Sequence, residues 1–200
     1  PLRVFDFADA AHAMRWMAQA RHIGKLVLRA PLDQRTARDV PIDEHATYLI
    51  TGGLGALGLH TARWLVGRGA RHLVLTARRG ADSAAQRALD ELAALRVQVD
   101  VHALDAADAA AMRMLLDDLR RTRPPLRGVV HAAGTLDDGV LMRQTAQRFE
   151  RVRRGKAVGA QVLDDLTREL PLDFFVLYSA AGQLLGASGQ APYAAANAEL

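Results

Sequence analysis

Cysteine is absent from all 200 residues, which excludes disulfides, thiolate metal sites and cysteine nucleophiles. Aromatic side chains make up only 5% of the chain, too few for the stacking platforms that bind single-stranded nucleic acid, so no nucleic-acid partner is expected. No apolar run approaches the roughly 18 residues of a membrane-spanning helix. The first residues also lack a basic stretch leading into an apolar core. Neither a membrane association nor a secretory leader is expected, the cytoplasm is the default compartment, and no metal site is foreseen.

What is present is a globular composition. Half of the residues are apolar, enough for a buried core, and the length suits one domain or one domain plus a fragment. The net charge of +4 is mostly arginine, concentrated at 78–79, 120–127 and 148–156. Such clusters suit anionic ligands, although arginines on helices also solvate ordinary surfaces.

From about residue 45 onward, strand-like and helix-like segments alternate. Strands are predicted at 47–51, 72–76, 97–103, 128–131 and 173–179, and helices at 59–67, 83–95, 108–121 and 149–170. This alternation predicts an α/β fold, a Rossmann-like doubly wound parallel sheet with helices on both faces and ligands at the carboxyl ends of the strands. Residues 5–20 carry apolar positions at Phe7, Ala10, Ala11, Met14, Met17 and Ala18, which predicts an amphipathic helix, and 23–28 reads as a short strand. Residues 31–45 hold two prolines and several charges without a period, as a linker would.

The densest local signal is Thr51, Gly52, Gly53, Leu54, Gly55, Ala56, Leu57 and Gly58, between an apolar strand and a helical segment. Glycines let a backbone turn sharply and approach a pyrophosphate, and the next helix offers unpaired N–H groups with partial positive charge. The second predicted strand ends at Thr76 and is followed by Ala77, Arg78 and Arg79. A carboxylate there would suit the ribose hydroxyls of NAD, whereas two guanidiniums suit the 2′-phosphate of NADP.

Taken together, Thr51 to Gly58, Arg78-Arg79-Gly80, His131-Ala132-Ala133-Gly134, Lys156, Tyr178-Ser179-Ala180-Ala181-Gly182 and Tyr193-Ala194-Ala195-Ala196-Asn197 resemble the ketoreductase domain of a type I modular polyketide synthase. That domain has the short-chain dehydrogenase/reductase fold. The resemblance covers 46–200. Residues 5–10 and 17–25 resemble the C-terminal tail of an enoylreductase domain, which divides the chain into a tail at 1–30, the linker at 31–45 and the reductase at 46–200, incomplete at its C-terminus. The resemblance implies further strands and a mobile lid beyond residue 200, so the segment alone is expected to be weak or inactive.

The resemblance also implies roles. Tyr193 would donate the proton to the alkoxide, Lys156 would stabilise the phenolate and hold the nicotinamide ribose, Ser179 would orient the carbonyl, and Asn197 would support the proton relay. Lysine and asparagine are exchanged relative to most short-chain reductases, as in polyketide and animal fatty-acid synthases. NADPH would be held by residues 51–58, Arg78, Arg79, Asp105, Ala106, Ala132, Ala133, Gly134, Lys156 and Tyr193. Ala106 stands where the family has valine. Leu136, Asp137 and Asp138 resemble the B-type signature for the configuration of the 3-hydroxyl, and Leu185 stands where an A-type domain would have tryptophan. His131 reads as a support of the fold.

The implied reaction is NADPH-dependent reduction of a 3-ketoacyl thioester on the phosphopantetheine of an acyl carrier protein. An enoylreductase domain in the same polypeptide would be the neighbour. Two alternatives stand beside it: a reductase or dehydrogenase of a free small ketone or alcohol, and a noncatalytic ketoreductase-like structural domain.

Overall fold

In the computed structural model, which describes residues 1–29 and 40–200, the chain separates into two compact units divided ahead of Val40. The smaller is a parallel two-stranded βαβ unit. Strand β1 (Leu2–Asp6) pairs with β2 (Lys25–Arg29), and a 3₁₀ turn (Phe7–Asp9) and helix α1 (Ala10–Ala18) connect them. The helix expected over 5–20 therefore starts five residues later. Phe5 belongs to β1 because its backbone lies opposite Leu28, a nonlocal pairing that helical spacing cannot register. Most of the expected linker lies outside the described residues. Of its last residues, Ile42 packs on the core of the second unit, and the Asp43 N–H donates to the Tyr48 phenol oxygen at 2.8 Å.

The larger unit has five parallel strands, β3 (Thr47–Thr51), β4 (His72–Ala77), β5 (Gln98–Ala103), β6 (Leu126–His131) and β7 (Phe174–Leu177), in the order β5-β4-β3-β6-β7. β3 is buried along its whole length, as a central parallel strand covered on both faces must be. Tyr48 and Ile50 join Leu73 and Leu75 beneath α2 (Ala56–Gly67) and α3 (Ser83–Ala94). Leu49, Val74 and Val129 pack on the opposite face against α4 (Ala109–Thr122) and α6 (Gly159–Thr167). Asp82 and Asp108 cap α3 and α4 by accepting from backbone N–H groups of the first turn.

The predicted helix over 149–170 is interrupted. α5 (Ala146–Arg153) begins at a Thr145 cap, widens into a π-helical segment (Arg154–Val158) and resumes as α6. The Gly159 N–H reaches back five residues to the Arg154 carbonyl, the spacing of a π-bulge. Lys156 sits inside this bulge. The strand expected over 173–179 is confined to Phe174–Leu177, after which the chain leaves the sheet and forms α7 (Gly182–Leu185) and α8 (Ala191–Ala198). α8 carries Tyr193 and Asn197, with Pro192 in its first turn. Among the described residues, no helix is long and apolar enough to cross a membrane.

Candidate active site

The strand order reverses between β3 and β6, and the crevice at such a switch point is where doubly wound sheets take ligands. The turn after β3 is built for close approach. Gly52 has φ +66°, and a Cβ there would lie 2.6 Å from the Ala133 nitrogen. On Gly58, a Cβ would meet the Gly52 carbonyl oxygen at 2.4 Å, so a larger residue cannot enter the first turn of α2 without displacing backbone. The Gly53 N–H donates to the Thr76 carbonyl and the Ala132 N–H to the Thr51 carbonyl, both at 3.0 Å, which stitches the ends of β3, β4 and β6 together.

A cleft of about 640 Å³ opens at these carboxyl ends. Of the residues expected at the cofactor, Gly52, Leu54, Gly55, Arg78, Arg79, Asp105, Ala106, Ala132, Ala133 and Gly134 line it. Thr51, Gly53, Ala56, Leu57, Gly58, Lys156 and Tyr193 do not. Thr51 is turned inward to His131, Leu57 is half exposed on α2, and Gly58 acts through the turn it lets close. Thr76, Thr135 and Gly155 also line the cleft. Position alone, at or just past a strand end, could have singled out Thr76 and Thr135.

Arg78 Nη2 donates to Thr135 Oγ1 at 2.6 Å, and the Arg79 guanidinium has no partner among the described residues. Asp105 Oδ1 accepts from the Ala107 N–H at 3.0 Å, and its Oδ2 faces Arg154 Nε at 3.3 Å.

Lys156 is 4% exposed. Its ammonium donates to the Tyr178 carbonyl and lies 5.8 Å from the centre of the Tyr193 ring. Burial holds its pKa below the ordinary lysine value. Two of the three tyrosines have committed phenols. The Tyr48 hydroxyl bonds the Asp43 backbone, and the Tyr178 hydroxyl bonds Thr61 Oγ1 at 2.9 Å. The Tyr193 phenol has no partner among the described residues. Ser179 Oγ accepts from Gln183 Nε2 at 3.1 Å. Asn197 Nδ2 donates to the Tyr193 carbonyl at 2.7 Å, and its Oδ1 is buried without a partner.

His131 supports this centre. It is fully buried at the end of β6, with Nδ1 2.6 Å from Thr51 Oγ1 and Nε2 2.9 Å from the Lys156 carbonyl. Gly159 makes room for the ring, since a Cβ there would lie 2.9 Å from His131 Cε1. Beyond Gly134, Asp137 pairs with Arg148 and Arg151, and the hydrogen bond from Arg148 holds its carboxyl below the usual range. Asp138 accepts from Gln190 Nε2 at 3.0 Å, and Leu136 is exposed.

The glycine turn at the switch point and the buried lysine near an uncommitted tyrosine agree with a nicotinamide-dependent oxidoreductase of the short-chain dehydrogenase/reductase class, the class to which the family match assigns the chain. The family model of the KR domain matches residues 46–200, and the chain belongs to that family, the ketoreductase domains of polyketide synthases. Over 202 residues it is 44% identical to the mycoketide-CoA synthase of Mycobacterium tuberculosis and 43% identical to the erythronolide synthase EryA2 of Saccharopolyspora erythraea, matching 100% of this chain in both cases. The chain spans 5% of the length of either relative. Among solved structures, an A1-type ketoreductase superposes with TM-score 0.74 at 42% identity, covering 80% of this chain and 33% of that one. A ketoreductase domain from the bacillaene assembly line gives 0.73 at 35% identity, covering 77% and 37%.

Proposed function

We propose that this chain reduces a 3-ketoacyl thioester to the 3-hydroxyacyl thioester with NADPH, taking its substrate from an acyl carrier protein within a cytoplasmic polyketide synthase. The observation that carries the reading is Lys156: a buried ammonium, 5.8 Å from the ring of the one tyrosine whose phenol is uncommitted. In this reading residues 1–30 are the tail of a preceding enoylreductase domain and 31–45 the linker.

The cleft fits a dinucleotide. The tight turn that Gly52 and Gly58 allow at the start of α2 suits a pyrophosphate, and the partnerless Arg79 guanidinium on the rim suits a 2′-phosphate. When bound, the cofactor supplies the hydride to the carbonyl carbon. Tyr193 donates its phenolic proton to the oxygen that becomes the hydroxyl. Lys156 stabilises the negative charge left on the phenol oxygen, and its burial keeps that interaction from being screened by water. Ser179, whose oxygen already accepts from Gln183, keeps its own hydrogen free to donate to the substrate carbonyl. Asn197 offers its unpartnered Oδ1 as an acceptor for a proton relay.

The B-type configuration of the product is read from Leu136, Asp137, Asp138 and Leu185. Overall likeness does not carry that assignment, since two of the similar solved structures are A-type ketoreductases. The test is Tyr193→Phe with the chain in a complete synthase module, assayed with NADPH or NADH and a 3-ketoacyl carrier. Loss of the acid should slow reduction at least about 1,000-fold while NADPH binding is retained. Unchanged reduction by the folded variant overturns the assignment. Preference for a free small ketone over the carrier-bound thioester favours the alternative substrate class.

A further inference from the structure

The loop 136–139 passes from the end of β6 toward the helix that carries Lys156, and one side chain of that helix grips it. Arg148 Nε donates to Asp137 Oδ1 at 2.7 Å, and its Nη2 donates to the Asp138 carbonyl at 2.8 Å and the Asp137 carbonyl at 3.3 Å. Gln144 Nε2 adds a bond to the Gly139 carbonyl at 3.1 Å, and Arg151 Nη1 stands 3.0 Å from Asp137 Oδ2. The far side of the loop is tied to the segment that starts α8. The Gly139 N–H donates to the Gly189 carbonyl at 2.8 Å, and Gln190 Nε2 donates to Asp138 Oδ2 at 3.0 Å. Tyr193 follows three positions after Gln190.

A guanidinium that serves one carboxylate and three carbonyls at once, those of Asp137, Asp138 and Arg143, uses its planar fork, which a lysine ammonium cannot reproduce. With the Arg148 and Asp137 side chains only 26% and 12% exposed, the pair is sheltered enough to order the loop rather than merely decorate it. Among the described residues, Arg148 makes no bond to Lys156, Ser179, Tyr193 or Asn197. Its side chain bonds the loop and, at 3.5 Å, the Arg143 carbonyl in the turn before its own helix, and it meets the start of α8 only through the loop.

We propose that Arg148 is a positioning residue for substrate orientation: it fixes loop 136–139 and, through the Gly139–Gly189 and Asp138–Gln190 bonds, the approach to the helix bearing Tyr193. The inference rests on the ketoreductase reading above. Proton donation does not run through Arg148, so its loss acts on how the acyl chain enters and which face of the carbonyl is presented.

The test uses Arg148→Lys and Arg148→Met in two arms. In the first, hydrogen exchange on the chain itself should show the Gly139 amide and the segments 136–140 and 187–192 exchanging at least about tenfold faster, with β3 and β6 unchanged. In the second, the variants in a complete synthase module should raise the fraction of the minor 3-hydroxyl configuration and the KM at least about fivefold, while kcat for the major product changes less than about threefold. NADPH affinity should stay unchanged. A merely structural arginine would lower the melting temperature and leave the configuration ratio intact. An unchanged ratio in a folded variant, or faster exchange spread evenly over the sheet, overturns the proposal. No reduction by the unaltered module overturns the ketoreductase reading and the substrate role together, a result separable from the exchange arm, which reads the clamp alone.

Discussion

His131 should make the fold sensitive to mild acid by an amount that can be worked out. Both ring nitrogens are used. The Lys156 carbonyl can only accept, so Nε2 carries the proton, and Nδ1 accepts from the Thr51 hydroxyl. Protonating Nδ1 would break that second bond inside a fully buried site. Burial is the largest cause that pushes the His131 pKa down to about 4, and the nearby Lys156 charge adds to it, against the opposing hydrogen bond to the Lys156 carbonyl. Because the folded value lies below the unfolded 6.5, the unfolded chain binds more protons between those two values. The contribution is therefore complete above about 6.5 and is lost as pH falls toward 4. A gap from 6.5 to about 4 corresponds to about 3 kcal/mol, a large share of a domain's net stability. Urea unfolding of the chain and of His131→Gln, followed from about pH 7 to about pH 5, isolates this term, since every other histidine and carboxylate is common to both. Glutamine can keep a donor to the Lys156 carbonyl but does not titrate. Over that interval the unaltered chain should lose about 2 kcal/mol more than the variant. Parallel stability curves, or a His131 resonance titrating near 6.5 in the folded protein, would refute the reasoning.

Gly58→Ala places a methyl 2.4 Å from the Gly52 carbonyl oxygen, and should weaken NADPH binding at least about tenfold, measured by cofactor fluorescence, in a protein whose far-UV spectrum is retained. Arg79→Ala should cost NADPH about tenfold in affinity while leaving NADH within about twofold, since only the former offers a phosphate to the guanidinium. Equal losses for both cofactors would sink the arginine reading. Lys156→Met should abolish reduction and yet leave the fold as stable or more stable by about 1 kcal/mol in urea. It removes a buried cation for which no carboxylate partner exists among the described residues.

Lys156 marks the line between what was legible in the chain and what was not. β3 carries the bounds 47–51 read from its apolar run, and the parallel sheet follows from the alternation of segments. Gly52, Leu54 and Gly55 of the glycine turn and the arginine pair fall on the cleft because their chemistry is local, set by backbone freedom and strand ends. β1 stayed hidden since residues 2–6 become a strand only by lying beside 25–29, and no short window contains both partners. The π segment stayed hidden for a different reason. Val152, Lys156, Ala160, Leu163 and Thr167 keep helical spacing straight through it and are all buried, so the apolar period gives no sign of the extra residue in the turn. The same stripe nevertheless carried an unused signal. A lysine in phase with an apolar face must place a cation in the interior, at a cost that surface arginines such as Arg151 avoid. Lys156 could thus have been separated from its basic neighbours by phase alone. What phase could not supply is the reason the cost is tolerated. His131 and Gly159 hold the bulge against β6, α8 brings Tyr193 to the ammonium, and the loop gripped by Arg148 fixes where that helix starts. Each of these is a contact between segments distant in sequence, so the residue types of the site are written locally while their geometry is a property of the assembled sheet.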